Sequence, residues 1–234
     1  MRDPALPSPP DTATEPPTLP APAGRRAALT LLAGREFVLD VGTTLAGRTA
    51  LGGRTVLYVD GANAFDPYIL SRLAREAGRP PKAVMQRLRL SRAFTCHQLE
   101  TLLVERLPRA VADFRPGLVV ISGWSRLFHD EHVPLREALR LLEGSVRRVR
   151  AIAQGGQPVL ATHCEEGAMP RRRPLEEILV GAADAVLRLR EEAGHILAVR
   201  EKPTGARGAS PLQAACERDL HWISRYRHRE LPHA

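Results

Sequence analysis

Short apolar runs alternate with longer stretches of helical periodicity along most of this chain, and this alternation limits its fold more than any other feature. Apolar runs predict buried strands at 36–41, 55–60, 87–90, 118–121 and 157–162. Amphipathic spacing predicts helices over 66–78, 97–113 and 134–153. Strands that alternate with helices favour right-handed crossovers, so the sequence predicts an α/β fold with a mainly parallel sheet covered on both faces.

Local signals mark the ends of some of these elements. Asp66-Pro67 supplies a capping residue and a first-turn proline for the helix at 66–78, and Gly78 ends it. Residues 183–190 and 195–201 predict an antiparallel hairpin, and 220–224 predicts a further strand. In parallel sheets the catalytic and ligand-binding residues lie at the carboxyl ends of the strands, so we expect any functional site of this chain at that edge.

The first 24 residues differ in composition from the rest of the chain. They hold eight of the twenty prolines and few large apolar side chains. Such a segment cannot bury enough surface to offset the entropy lost on ordering. We expect a disordered, proline-rich leader over 1–25 and one folded domain over 26–234.

The net charge favours a polyanionic partner. The chain has 34 basic and 26 acidic side chains, a formal net charge of +8. Neutralising phosphates releases counterions, so such an excess suits nucleic acid. Only Lys82 and Lys202 are lysines, so an arginine count set by a GC-rich genome is the alternative.

Cysteine usage and hydropathy indicate the compartment. Cys96, Cys164 and Cys216 are too few and too scattered for a disulfide framework, which favours a reducing compartment. No apolar run approaches the roughly 20 residues of a membrane span, and no secretory signal is present at the N-terminus. We expect a cytoplasmic protein with no membrane partner, and association with the nucleoid is an open alternative.

Five segments resemble, in the same order, motifs of the RecA/RadA recombinases, the ATP-dependent DNA strand-exchange proteins, above all their archaeal and eukaryotic branch. The segments are YVDGANAFDP at 58–67, RAFTCHQ at 92–98, LVVISGWSRLF at 118–128, VLATHC at 159–164 and GAADAVLRLR at 181–190. Together they cover roughly residues 35–205. The resemblance implies a RecA-like P-loop NTPase core, with a mainly parallel sheet flanked by helices and an antiparallel C-terminal hairpin.

The phosphate-binding loop of that family has one candidate in this chain, residues 42–49. Gly42, Gly47, Arg48 and Thr49 fit its spacing, with Arg48 in the place of the lysine. Arginine keeps the charge, but its planar fork is bulkier than an ammonium group. Six residues separate Thr49 from Val56, so we expect the helix after the loop to be short or missing.

Other catalytic positions are changed as well. The resemblance places the catalytic glutamate at Ala62, the magnesium-binding aspartate at Ser122 and the sensor pair at His163 and Cys164. Without these groups phosphoryl transfer loses most of its electrostatic help. We therefore expect no catalytic residue and no cofactor. The alternative is a weak DNA-dependent ATPase that binds Mg-ATP through Arg48 and takes a carboxylate from Asp60 or a neighbouring subunit.

The DNA-contacting loops of the family correspond to about 129–135 and 165–175. The second holds Arg171, Arg172 and Arg173 between two prolines, which favours phosphate contacts without base reading. Arg136 and Arg140 lie four residues apart, so they share one helix face that can add to this surface. A solvated face or an acidic protein partner is the alternative.

Metal binding and self-assembly are not expected. The family's strand order would put two strands between Cys96-His97 and His163-Cys164, about 14 Å apart laterally, which is too far for one zinc ion. No phenylalanine has an alanine three residues on, the pattern through which family filaments grow.

The sequence therefore predicts a recombinase paralogue that acts non-catalytically in DNA recombination and repair. It would bind DNA, a partner recombinase or paralogue subunit, or both. A protein-interaction scaffold for an unrelated complex is a further alternative.

Overall fold

The computed structural model describes residues 29–165, 172–192 and 195–202, without the side chains of His195 and Lys202. The predicted leader, the predicted strand at 220–224 and Arg171 lie outside the described residues.

The described residues form seven strands and the helices between them. The strands are β1 (Leu29–Gly34), β2 (Val56–Asp60), β3 (Leu88–Arg92), β4 (Leu118–Ser122), β5 (Val159–Cys164), β6 (Ala185–Glu192) and β7 (His195–Lys202). The helices are α1 (Val38–Leu51), α2 (Pro67–Glu76), α3 (Pro81–Met85), α4 (Cys96–Thr101), α5 (Leu107–Phe114), α6 (Leu135–Gln154) and α7 (Arg173–Ala182). A π-helical segment, Leu102–Arg106, joins α4 to α5, and a short 3₁₀ turn, Arg126–His129, follows β4.

One sheet contains all seven of these strands, in the order β3-β2-β4-β5-β1-β6-β7. Its pairs are parallel except for the antiparallel pair of β6 and β7. One apolar cluster packs α1, α2 and α3 on one face, and a second packs α4, α5, α6 and α7 on the other. The predicted α/β class, the mainly parallel sheet and the hairpin are confirmed.

Three predicted helices are confirmed with small shifts at their ends. In α2 the carboxylate of Asp66 accepts a hydrogen bond from the Tyr68 amide at 2.8 Å, as its capping position predicts. The helix predicted over 97–113 is the continuous run of α4, the π-helical segment and α5. Its π-helical segment immediately precedes α5, where Pro108 has no amide hydrogen to donate to a carbonyl of the preceding turn.

The strand predicted at 36–41 is wrong, because these residues lead into and begin α1, and the first strand in the described part of the chain is β1. Eleven of the fourteen residues of α1 are buried. A helix that is buried nearly all round has no clear amphipathic period, so the short apolar run at 37–39 does not distinguish it from a buried strand. The short helix expected after Thr49 is not a separate element: α1 begins at Val38, before the candidate loop, and only Ala50 and Leu51 follow Thr49 within it.

No helix among the described residues has both the length and the apolar character needed to cross a membrane.

Candidate functional site

The turn after β1 lies at the carboxyl edge of the sheet, where a phosphate-binding loop would be expected. Only three residues, Arg35 to Phe37, separate β1 from α1. The pattern of a phosphate-binding loop spans about eight residues, so this turn is too short to form one. Gly34, the residue before the turn, lies close to β6: a Cβ on it would lie 2.5 Å from the backbone oxygen of Leu189.

The candidate loop at 42–49 is not a loop in the structure. Gly42, Gly47, Arg48 and Thr49 all lie inside α1, so the expectation of a loop there is wrong. The two glycines allow close packing: a Cβ would lie 2.9 Å from Thr162 Cγ2 at Gly42 and 2.7 Å from Leu73 Cδ1 at Gly47. The Thr49 hydroxyl donates to the Leu45 carbonyl at 2.9 Å. Amides in a helix interior are hydrogen-bonded within the helix and are not free to hold phosphate.

The chain places its own carboxylates at the start of α1. A helix N-terminus favours anions, and Glu36 precedes the helix while Asp40 lies in its first turn. Arg126 Nη1 donates to Glu36 Oε1 at 3.0 Å, which joins the turn after β1 to the turn after β4. Phe37 is buried in the cluster beneath this turn. This end of the helix is therefore supplied with negative charge from within the protein.

The positions of the expected catalytic carboxylates adjoin each other at the carboxyl ends of β2 and β4. Asp60 pairs with Ser122 in the register of these strands, and Ala62 packs against Gly123. Neither Ala62 nor Ser122 can ligate magnesium as a carboxylate would. Behind them the Tyr58 and Thr43 hydroxyls lie 2.8 Å apart, and burial raises the pKa of Tyr58 to about 12, so it stays neutral.

Asp60, the carboxylate of the alternative ATPase hypothesis, is committed to the structure of its own loop. It is fully buried and accepts hydrogen bonds from the amides of Ala64 and Phe65, each at 3.2 Å. It also forms an ion pair with Arg92 at 3.1 Å. These contacts fix the loop after β2 and direct the carboxylate inward.

A buried histidine network lies at the carboxyl ends of β4 and β5. His163 Nδ1 is 2.7 Å from the Ser125 hydroxyl, and its Nε2 is 3.8 Å from Glu176 Oε2. Burial lowers the pKa of His163 to about 4, so the ring is neutral at physiological pH. Burial, aided by Arg172, also lowers the pKa of His129.

Arg188 of β6 anchors the acidic side of this network. It forms ion pairs with Glu165, Glu176 and Glu201, which come from three different parts of the fold. The serine, histidine and carboxylates of the network come from separate elements, so local sequence patterns do not reveal it as a unit. One signal was available: His163 is an ionisable residue within a buried strand.

The expected separation of the two cysteine-histidine pairs is also observed. β2 and β4 lie between β3, which precedes Cys96-His97, and β5, which contains His163-Cys164. His97 instead contacts Glu137 at 2.9 Å, and burial raises the pKa of the Cys96 thiol. In the described part of the chain no group of three or more histidine, cysteine or acidic residues could hold a metal ion.

The arginines expected to contact DNA have different environments. Arg172 is only 7% exposed, and its guanidinium donates to the carbonyls of Phe128 and Val133 at 2.5 and 2.7 Å. Arg172 is therefore an internal residue, and its expected role as a phosphate contact is wrong. Arg173, Arg136 and Arg140 are exposed. Since Arg172 holds the start of α7 beside the segment before α6, these three residues lie at the same edge of the sheet.

No protein-family model matches this chain, and a search of curated proteins finds no match.

Proposed function

We propose that this chain is a RecA-like protein without ATP chemistry, which acts in DNA recombination and repair by binding DNA and a partner recombinase. The observation that carries the proposal is the three-residue turn between β1 and α1, closed by the ion pair of Glu36 with Arg126. The parallel sheet is retained while the segment that would hold triphosphate is too short.

The arrangement of the sheet supports the resemblance to the recombinases. Two strands were expected between the segment at 92–98 and the strand at 159–164, and β2 and β4 occupy that place. The segments that carry the resemblance include the ends of β2 and β3, all of β4 and β5, and most of β6, and these strands belong to one sheet. The five segments, which resemble family motifs in order along the chain, therefore also belong to one continuous sheet.

The proposed lack of ATP hydrolysis rests on which carboxylates are present near the carboxyl ends of β2 and β4. Hydrolysis of ATP needs a metal ligand and a base near the γ-phosphate. The residues at those positions are Ser122 and Ala62, and the nearby Asp60 is buried with three hydrogen-bond donors of its own. Redirecting Asp60 toward a nucleotide would break these contacts and leave the loop after β2 unsupported.

Arg136, Arg140 and Arg173 form the surface that we assign to DNA at the carboxyl edge. All three are exposed, and only Arg173 has a nearby acidic partner among the described residues, Glu177 at 3.5 Å. That pair is 78% and 66% exposed, so it is weak and easily exchanged for a phosphate. Arginine forks suit phosphate oxygens, and contacts of this kind bind DNA without reading its sequence.

The test is DNA binding by fluorescence anisotropy over a range of salt concentrations, for the wild type and a triple variant. In that variant Arg136, Arg140 and Arg173 are each changed to Gln. We expect its DNA affinity to fall about tenfold or more and its salt dependence to weaken by about one unit of slope for each lost contact.

A matched control removes the same charge elsewhere. Arg106, Arg109 and Arg190 are also exposed, and their replacement with Gln should change DNA binding much less. Equal losses in the two variants would mean a general charge effect and would contradict the assigned surface. Strand-exchange assays with a recombinase test the partner: unchanged rates, with no co-purification, would contradict that part of the proposal.

A further inference from the structure

The amino edge of the sheet, where the parallel strands begin, collects basic side chains from four separate segments of the chain. The segments 52–55, 75–82, 87–89 and 113–117 contain seven basic residues and two acidic ones, Glu76 and Asp113. This edge is opposite to the carboxyl edge, where the turn after β1 and the start of α6 are found.

Specific contacts join these segments into one surface. Arg87 Nη1 donates to the Gly53 carbonyl at 2.5 Å, and the Val56 amide donates to the Arg87 carbonyl at 2.9 Å. The Gly117 amide donates to the Thr55 carbonyl at 2.8 Å. The guanidinium of Arg89 lies 5.1 Å from the centre of the Phe114 ring. The loops before β2, β3 and β4 are therefore held side by side.

Most of the positive charge on this surface is exposed. We define the amino-edge patch as the six exposed basic residues Arg75, Arg79, Lys82, Arg87, Arg89 and Arg115. The seventh, Arg54, is half-buried against Gly117. The patch thus contains a large part of the excess charge of the chain, and none of its residues belongs to the carboxyl-edge surface.

The negative C-terminal ends of helices at this edge offset only part of that positive charge. The C-termini of α1, α2, α3 and α5 adjoin these segments, and each is equivalent to about half a negative charge, so together they offset about two positive charges. Glu76 and Asp113 offset two more. The patch keeps an excess of at least two positive charges that the described residues do not neutralise at this edge.

We propose that the amino-edge patch binds the phosphate backbone of a nucleic acid. Five of its six residues are arginines, whose planar forks match phosphate oxygens. Phe114 is 45% exposed beside Arg89 and offers a ring on which an unpaired base can stack. A basic surface with an adjacent exposed aromatic ring favours nucleic acid over an acidic protein segment.

This surface is independent of the DNA contacts proposed for Arg136, Arg140 and Arg173. The five residues of β2 separate the two edges by about 16 Å at the usual rise of a strand. Because the two surfaces face away from each other, one chain can hold two nucleic-acid segments at once.

The test compares two triple variants that remove equal charge. In the first, Arg75, Arg79 and Lys82 are changed to Gln; the second is the carboxyl-edge variant R136Q/R140Q/R173Q. Labelled single-stranded and duplex DNA are titrated at several salt concentrations. We expect the amino-edge variant to lose about tenfold or more in affinity and about two to three units of salt slope. Unchanged affinity and slope would overturn the proposal.

The outcomes separate this proposal from the proposed function. Loss only in the amino-edge variant supports the patch and contradicts the carboxyl-edge surface, whereas loss only in the carboxyl-edge variant does the reverse. Competition with poly-glutamate at equal charge tests the class of partner: displacement of DNA as effective as that by unlabelled DNA would identify an acidic protein partner and overturn the assignment to nucleic acid.

A second variant guards against misfolding. Thermal melting is measured for each protein, and if the triple variant melts early the titration is repeated with Lys82 and Arg115 changed to Gln. Both side chains are exposed, so we expect a wild-type melt. The same direction of change in DNA binding is expected, and its absence would overturn the proposal.

Discussion

Arg126 donates a 3.0 Å hydrogen bond to the carboxylate of Glu36, a residue ninety positions earlier in the chain. Both side chains are about half exposed, so the pair contributes no more than about 1 kcal/mol to stability. The position of this pair matters more than its strength. It joins the turns after β1 and β4 at the edge of the sheet where a nucleotide would have to bind. The charge that could receive a phosphate is already paired within the chain.

Gly34 is required by the close approach of β1 to β6. An added Cβ would lie 2.5 Å from the Leu189 backbone oxygen, so we expect Gly34→Ala to lower the free energy of unfolding by about 1–3 kcal/mol. Gly181→Ala is the matched control, since nothing lies near its Cβ position and alanine favours helix, so this change should stabilise slightly. Urea unfolding measures both variants, and an equal effect of the two changes would contradict the packing argument.

Arg172 and Arg173 are neighbours with opposite roles. Arg172→Ala leaves two carbonyls, those of Phe128 and Val133, without their donor, and we expect it to cost about 2–3 kcal/mol of stability. Arg173→Ala should change stability by less than about 0.5 kcal/mol, because the side chain is 78% exposed. Chemical unfolding and DNA titration of both variants check this. Only Arg173→Ala is expected to weaken DNA binding while leaving stability unchanged. Equal stabilities for the two would show that Arg172 is not an internal anchor.

Asp60 and Arg92 should be unequal partners. Asp60→Ala removes the acceptor for two loop amides and for Arg92, so we expect a loss of about 3 kcal/mol. Arg92→Ala should cost about 1 kcal/mol, because Arg92 is 39% exposed and Asp60 keeps both amide donors. Unfolding of the two single variants gives the comparison. A larger loss for Arg92→Ala would contradict the assignment of Asp60 as the centre of the loop.

His163 makes the stability of the protein depend on pH. Its pKa is about 4 in the folded state against 6.5 for a free histidine side chain, so the unfolded chain binds the proton more tightly. The contribution of His163 is therefore complete above pH 6.5 and is lost as pH falls through 4, a total of about 3 kcal/mol. Glu176, Arg188 and His129 face the same network, so the comparison needs a variant that changes His163 alone.

Unfolding of wild type and His163→Gln at several pH values isolates this contribution. Between pH 6.5 and 4 the wild type should lose more stability than the variant, whatever their difference at neutral pH. Parallel curves for the two proteins would contradict a neutral, buried His163.

The fold could be predicted where local signals were strong. Asp66-Pro67 and Gly78 mark α2 through a cap, a first-turn proline and a residue with φ of +63°, all of which act within the segment itself. The beginning of α1 has no such signal, because Phe37 at its cap position makes no side-chain capping bond. The burial of α1 depends on the sheet on one side and on α2 on the other, and a local sequence pattern does not reveal these distant contacts.

The site could be predicted only in part, for a similar reason. That residues 62 and 122 are not carboxylates is visible in the sequence, whereas the length of the turn after β1 depends on where that strand ends. Arg172 and Arg173 are identical residue types, and only the position of two distant carbonyls makes one of them internal. Surfaces built from several segments, such as the amino-edge patch, require the fold before they can be seen.

The most direct measurement is the DNA affinity of the purified protein with and without Mg-ATP, beside a calorimetric titration with Mg-ATP alone. The three-residue turn predicts no heat of nucleotide binding. The exposed arginines predict salt-dependent DNA binding, which should then be the same with and without Mg-ATP. DNA binding that requires or is strengthened by Mg-ATP, or nucleotide binding in the calorimeter, would contradict the central claim that this protein binds DNA without a nucleotide.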